Sequence, residues 1–256
     1  MVGGAASRFP HALAMTSPGV ALIVGAGDGL GGALARRFAR AGYHACVVRR
    51  GAEKLAPLCA EIGAAGGTVT AFGVDARREE DVVGLFDAIE RDCGPIEVAM
   101  HNIGANVWCP IRETTVRKYT KVWEMACLSG FLVGREAARR MGARRRGTIL
   151  FTGATASLRG RAQLAAFAGA KHALRALAQS MARELGPEGI HVAHVVIDGP
   201  IDMPWIRENF PALVAQRPAD GLLKPDDIAE TYFALHQQPR SAWTFEIDLR
   251  PWVEPW

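Results

Sequence analysis

Val20-Ala-Leu-Ile-Val-Gly25-Ala-Gly-Asp-Gly-Leu-Gly31 is the stretch whose reading decides the fold. Its first five residues form a short unbroken apolar run, the pattern of a strand buried on both faces. The glycines that follow permit a tight turn and let backbone N–H groups approach an anion where the next helix begins. From Leu30 to about Ala41 the spacing is helical. Strand, glycine turn and helix in that order form the arrangement that cradles a pyrophosphate. Gly25, Gly27, Asp28, Gly29, Leu30 and Gly31 are therefore candidate dinucleotide contacts. The bland alternative is a turn that merely joins strand to helix.

Outward from this stretch, strand and helix alternate along the chain. Strands are expected at 45–48, 68–72, 96–100, 147–151, 190–197 and 243–249, and helices near 52–64, 79–91, 116–141, 162–185 and 225–236. Such alternation predicts a single doubly wound α/β domain. Its sheet is seven-stranded and mostly parallel, with helices on both faces. Ligands bind beyond the carboxyl ends of the strands in such a sheet. Residues 203–223 interrupt the alternation with Pro204, Trp205, Phe210 and Pro211, and read as a small helical lid. Residues 1–17 are expected to be a disordered extension, leaving 18–256 as the domain.

The chain has 256 residues, is 49% hydrophobic and carries a net charge of +4. It is large enough to bury a substantial core. Much of the basic excess sits in Arg135, Arg139, Arg140, Arg144, Arg145 and Arg146. No aromatic residues interleave with them, so a solvated helix face is expected and no nucleic-acid partner. No apolar run has the length of a membrane span, and no membrane association is expected. The five cysteines, Cys46, Cys59, Cys93, Cys109 and Cys127, form no Cys-x-x-Cys pair. That spacing indicates no disulfide framework and no metal site, and it fits a cytoplasmic protein.

Several landmarks together resemble the short-chain dehydrogenase/reductase family, whose core is a Rossmann domain. Gly25-x-x-x-Gly29-Leu-Gly31 resembles its glycine signature. His101-Asn-Ile-Gly104 looks like its Asn-Asn-Ala-Gly segment, with Asn102 and Gly104 kept. Asp198-Gly-Pro-Ile-Asp-Met203 looks like its Pro-Gly-x-x-x-Thr segment, with Gly199 kept. The resemblance implies that Asp75 meets an adenine amino group, and that Ala76, Asn102, Gly104, Gly199 and Ile201 lie along the cofactor. It also implies a homo-oligomer, a dimer or tetramer built on the helix at 162–185 and its predecessor. At the end of the second strand stand Arg49 and Arg50. An acidic residue there would bind a free ribose hydroxyl and repel a 2′-phosphate, whereas arginine matches phosphate geometry. NADP(H) is therefore expected over NAD(H). The alternative, that both arginines are solvated loop charges, stays open.

The family's chemistry uses Asn, Ser, Tyr and Lys. Here Lys171 is kept, but Phe167 stands four residues before it where the tyrosine belongs. Ala154 falls at the serine position and Cys127 at the asparagine position. A phenyl ring has no proton to give, so the ordinary proton transfer is absent. Candidate replacements are Thr155, Asp198, His101 and Tyr119, each with a plain structural alternative. Lys171 serves in any version, because the family's lysine also holds the nicotinamide ribose. The expected function is an NADP(H)-dependent oxidoreductase with atypical proton transfer, acting on a hydrophobic carbonyl or imine. The alternative is a non-redox dinucleotide-binding protein: a sensor, a partner subunit, or a lyase or cyclase on a reused fold.

Overall fold

A computed structural model describes residues 18–255; the extension expected at 1–17 lies outside the described residues. Seven strands form one sheet in the order β3-β2-β1-β4-β5-β6-β7. They are β1 (Val20–Val24), β2 (His44–Arg49), β3 (Val69–Gly73), β4 (Ile96–His101), β5 (Gly147–Thr152), β6 (Ile190–Ile197) and β7 (Glu246–Leu249). Every neighbouring pair is parallel. The helices are α1 (Leu30–Arg40), α2 (Ala56–Ala64), α3 (Glu79–Asp92), α4 (Val116–Trp123), α5 (Ser129–Arg144), α6 (Ala165–Leu185), α7 (Pro204–Asn209), α8 (Pro211–Ala215) and α9 (Pro225–His236).

Two apolar layers follow from the period-two alternation of the strands. Ala21 and Ile23 of β1 pack with Leu34 and Phe38 of α1 and Tyr232 of α9. Val20, Leu22 and Val24 pack with Phe86 and Ile89 of α3, Leu132 and Met141 of α5, and Leu174 of α6. Strand order reverses between β1 and β4, which opens a crevice at their carboxyl ends.

The helix expected over 116–141 is not uniform. A π-helical turn, Glu124–Leu128, separates α4 from α5. The Ser129 hydroxyl donates to the Met125 carbonyl at 2.6 Å and also bonds His101 Nε2 at 2.7 Å. A side chain inserted into the backbone ladder widens it in this way. The last strand, Glu246–Leu249, is shorter than the expected 243–249, and Trp243 instead stacks on His191 at 4.9 Å.

The basic cluster is internally neutralised. Arg135, Arg139, Arg140, Arg144 and Arg146 pair with Glu79, Glu136, Asp87, Glu90 and Glu97. Arg145 donates to the Pro187 carbonyl. Among the described residues, no helix is long and apolar enough to cross a membrane.

Candidate functional site

The glycine turn sits in the crevice between β1 and β4, and its geometry explains its composition. Gly25 has φ +100°, a left-handed conformation that side chains disfavour. A Cβ on Gly31 would strike the Gly25 carbonyl oxygen. Asn102 Nδ2 donates to that same carbonyl at 3.1 Å, so β4 clamps the turn from behind. Met203 lies over the turn, with its Cε 3.1 Å from where a Cβ of Gly29 would stand.

Two cavities meet here and share Gly25, Ala26, Asn102, Ile103 and Gly104. The smaller, about 610 Å³, is walled by Arg49, Arg50, Lys54, Asp75, Ala76 and Arg77, among others. Arg49, Arg50 and Lys54 make no salt bridge among the described residues. Arg77, by contrast, grips Asp75 through two guanidinium nitrogens, at 2.8 and 2.5 Å. That contact holds the Asp75 carboxyl down at about 2. A Cβ on Gly27 would lie 3.7 Å from Arg49 Nη1, so a guanidinium flanks the glycine turn.

The larger cavity, about 1170 Å³, contains the rest of the glycine turn, including Gly27, Asp28, Gly29, Leu30 and Gly31. Gly199 and Ile201 from the segment after β6 line it as well. Its far side is apolar, with Trp108, Leu164, Phe167, Met203, Trp205 and Phe210. Trp205 and Phe210, from the segment expected to be a lid, pack edge to face at 5.5 Å. The carboxyl-terminal tail braces that segment: Arg217 donates to Glu254 at 2.7 Å, and Trp252 Nε1 to the Ala219 carbonyl at 3.2 Å.

Lys171 forms part of this cavity wall yet is only 2% exposed. Its ammonium donates to the carbonyls of Thr152 at 2.7 Å and Ile103 at 3.3 Å. Burial lowers its pKa to about 8. The Phe167 ring centre lies 5.9 Å from Nζ. Ala154 and Thr155 are on the wall, and Cys127 is buried in the π-helical turn outside it.

The other candidate donors are placed as follows. Thr155 Oγ1 donates to Asp198 at 2.5 Å. Asp198 is 2% exposed, stands behind the wall and also meets Arg250 at 2.9 Å and Arg159 at 3.4 Å. With its proton directed at that carboxylate, Thr155 presents only lone pairs to the cavity. His101 is buried against Ser129, and burial pushes its pKa down to about 3. The Tyr119 hydroxyl lies against Gly169 of α6, outside the cavity. His172 Nδ1 is within 2.9 Å of the Ala168 carbonyl, a local helix contact.

Lys54, Arg159 and Arg161 are among the charged wall residues that were not expected. Lys54 is one turn beyond Arg50, and Arg159 and Arg161 lie in the loop before α6. Arg161 reaches across the cavity mouth to Trp108, 5.4 Å from its ring centre. Nothing in local spacing distinguishes a loop arginine on a cavity wall from one in solvent.

Comparison with known proteins bears on this arrangement. The sequence profile described as "short chain dehydrogenase" matches residues 19–210. A short-chain dehydrogenase from Rhodopseudomonas palustris is 49% identical, with TM-score 0.79, covering 91% of this chain and 99% of that one. A metagenomic short-chain oxidoreductase crystallised with NADP is 25% identical, with TM-score 0.78, covering 91% and 97%. The 3-oxoacyl-[acyl-carrier-protein] reductase MabA of Mycobacterium avium is 31% identical over 73% of this chain and 68% of its own. The uncharacterized oxidoreductase YuxG of Bacillus subtilis is 31% identical over 83% of this chain, a stretch spanning only 31% of YuxG. With that profile matched over residues 19–210 and the strands forming one all-parallel sheet, the chain belongs to the short-chain dehydrogenase family of oxidoreductases.

Proposed function

We propose that this chain binds NADP(H) across the two cavities and interconverts an apolar carbonyl compound and its alcohol, with Lys171 handling the proton. The observation that carries the cofactor half is the trio Arg49, Arg50 and Lys54 around the smaller cavity, none of which forms a salt bridge among the described residues. A 2′-phosphate is the ligand group that such a cluster suits, and a charge-assisted hydrogen bond contributes about 1.5–3 kcal/mol. The glycine turn would take the pyrophosphate, while Asn102, Gly199 and Lys171 would adjoin the nicotinamide end. When bound, the nicotinamide supplies or accepts the hydride.

Lys171 is the proton-handling group that the cavity floor favours. Two of its three N–H bonds are committed to carbonyls, which leaves one for the reacting oxygen. The carbonyls also fix the ammonium in position, so no reorganisation is needed as charge develops. Thr155, able only to accept, would orient the substrate hydroxyl. Asp198 would position Thr155 without touching substrate.

The charge balance at the substrate end bears on the imine alternative. Arg217 is paired with Glu254, and Arg159 faces Asp198. Arg161 has no carboxylate partner among the described residues. A cationic iminium would meet net positive charge, so a neutral or anionic carbonyl compound suits the cavity better. The exposed Trp123 and Phe131 beside α4 and α5 suit a homo-oligomer contact. A non-redox reading keeps one observation in its favour: the phenol and serine hydroxyl are both missing from the wall.

Cofactor choice is tested by titration. Arg49→Ser with Arg50→Ser should weaken NADPH binding by about 10–100-fold and leave NADH binding nearly unchanged. Equal loss for both nucleotides would remove the 2′-phosphate assignment. Turnover should also depend on pH in one direction. The ammonium can donate below about 8 and the amine cannot above it, so carbonyl reduction should fall as pH rises through about 8. A rate unchanged across that pH would show that Lys171 does not supply the proton.

A further inference from the structure

We infer that His44, Cys46 and Cys93 form a binding site for a soft divalent cation of the zinc type, at the end of the sheet opposite the nucleotide cavities. Strand register creates the cluster. His44 and Cys46 are two apart on β2, so they share a face. Cys46 is in register with Thr70 of β3, and its face is the one that α3 covers. Cys93 caps the carboxyl end of α3, just before the chain turns at Gly94 into β4. The donor atoms of all three residues lie within 4.8 Å of one another.

Three features make this more than a chance meeting of side chains. The donor set of two thiols and one imidazole is that of zinc sites, where donors stand about 3.8 Å apart at Zn–S lengths of about 2.3 Å. Closing the present cluster onto an ion thus needs movements of an ångström or less. Thr70 Oγ1 lies 2.8 Å from His44 Nε2, which fixes the ring as an outer partner does in metal sites. The carboxyl end of α3 also carries the negative end of its helix dipole toward the cluster.

Cys46 is buried, whereas His44 and Cys93 are partly exposed, so an ion enters from their side. A solvent molecule would complete the coordination. Binding expels two thiol protons to solvent as the sulfurs become thiolates. The bound ion would tie β2 to the α3–β4 junction.

The test is a titration of the reduced full-length protein with cadmium, a spectroscopic stand-in for zinc, followed by the ultraviolet sulfur-to-cadmium charge-transfer band. One ion per chain should give a saturable band, and zinc should compete for it. Saturation should raise the melting temperature by roughly 5 °C through mass action. Cys93→Ser should abolish most of the band, and His44→Gln should weaken affinity at least about tenfold. Cys59→Ser, at a thiol outside the cluster, should change neither. Circular dichroism checks that each variant folds. Failure of the wild type to bind, a band undiminished in both cluster variants, or a Cys46–Cys93 disulfide forming instead of the complex would each overturn the site.

Discussion

Replacing Phe167 by tyrosine together with Ala154 by serine should raise kcat/KM for ketone reduction by about 10²–10⁴, the factor that a positioned general acid supplies. Both residues stand on the wall of the larger cavity, so both hydroxyls would be added to a surface that already faces it. Phe167 is one helical turn before Lys171, with its ring centre 5.9 Å from Nζ. A phenol there feels the ammonium, which favours the phenolate and lowers the phenol pKa toward neutrality. Its pH profile should change too, since a phenol replaces the Lys171 ammonium as proton source. The single Phe167→Tyr change should give a smaller gain, because the carbonyl oxygen would still lack the serine donor. NADPH oxidation with a panel of apolar ketones measures both. If the double variant binds NADPH as the parent does and still reduces nothing, the non-redox reading gains.

That experiment rests on features of unequal legibility. The glycine turn and the alternation of apolar runs with helical segments read directly as a doubly wound sheet, because strands buried on both faces leave a strong local pattern. The missing phenol was legible because a single register, Phe167 to Lys171, decides it. The π-helical turn at Glu124–Leu128 was not. It depends on Ser129 bonding both Met125 and His101, and the second partner arrives from another strand. Asp198 was expected in the loop beside the nicotinamide, but it does not line the cavity. Its placement behind Thr155, between Arg159 and Arg250, depends on contacts across 39 or more positions of sequence. The arginines of the cavity mouth were invisible for the same reason: a loop has no period to reveal which way it faces.

Acidification should unfold this protein well before its carboxylates are all protonated. Burial lowers the pKa of His101 to about 3 and those of His194 and His236 to about 4, from an ordinary value of 6.5. Between 6.5 and these values the unfolded chain carries protons that the folded chain refuses. The slope of unfolding free energy against pH is then positive, so stability falls as pH falls. At about 1.36 kcal/mol per pH unit, each histidine costs roughly 3–5 kcal/mol once the pH is below its folded value. The three together, about 10 kcal/mol, match the whole stability of a typical domain. The structure offers these rings little relief. His101 Nδ1 and His194 Nε2 are buried without a hydrogen-bond partner among the described residues, and His236 sits between Tyr43 and Thr148. Glu246 does face His194, yet it is already engaged by Arg175. Lys171 acts in the same sense on the alkaline side: its lowered pKa makes stability rise with pH from about 8 toward 10.5. Urea titrations at a series of pH values should show the unfolding midpoint dropping steeply below 6.5, with His194→Gln flattening part of that fall. A midpoint constant from pH 6.5 down to about 4.5 would mean that water reaches these rings in the folded state and protonates them there.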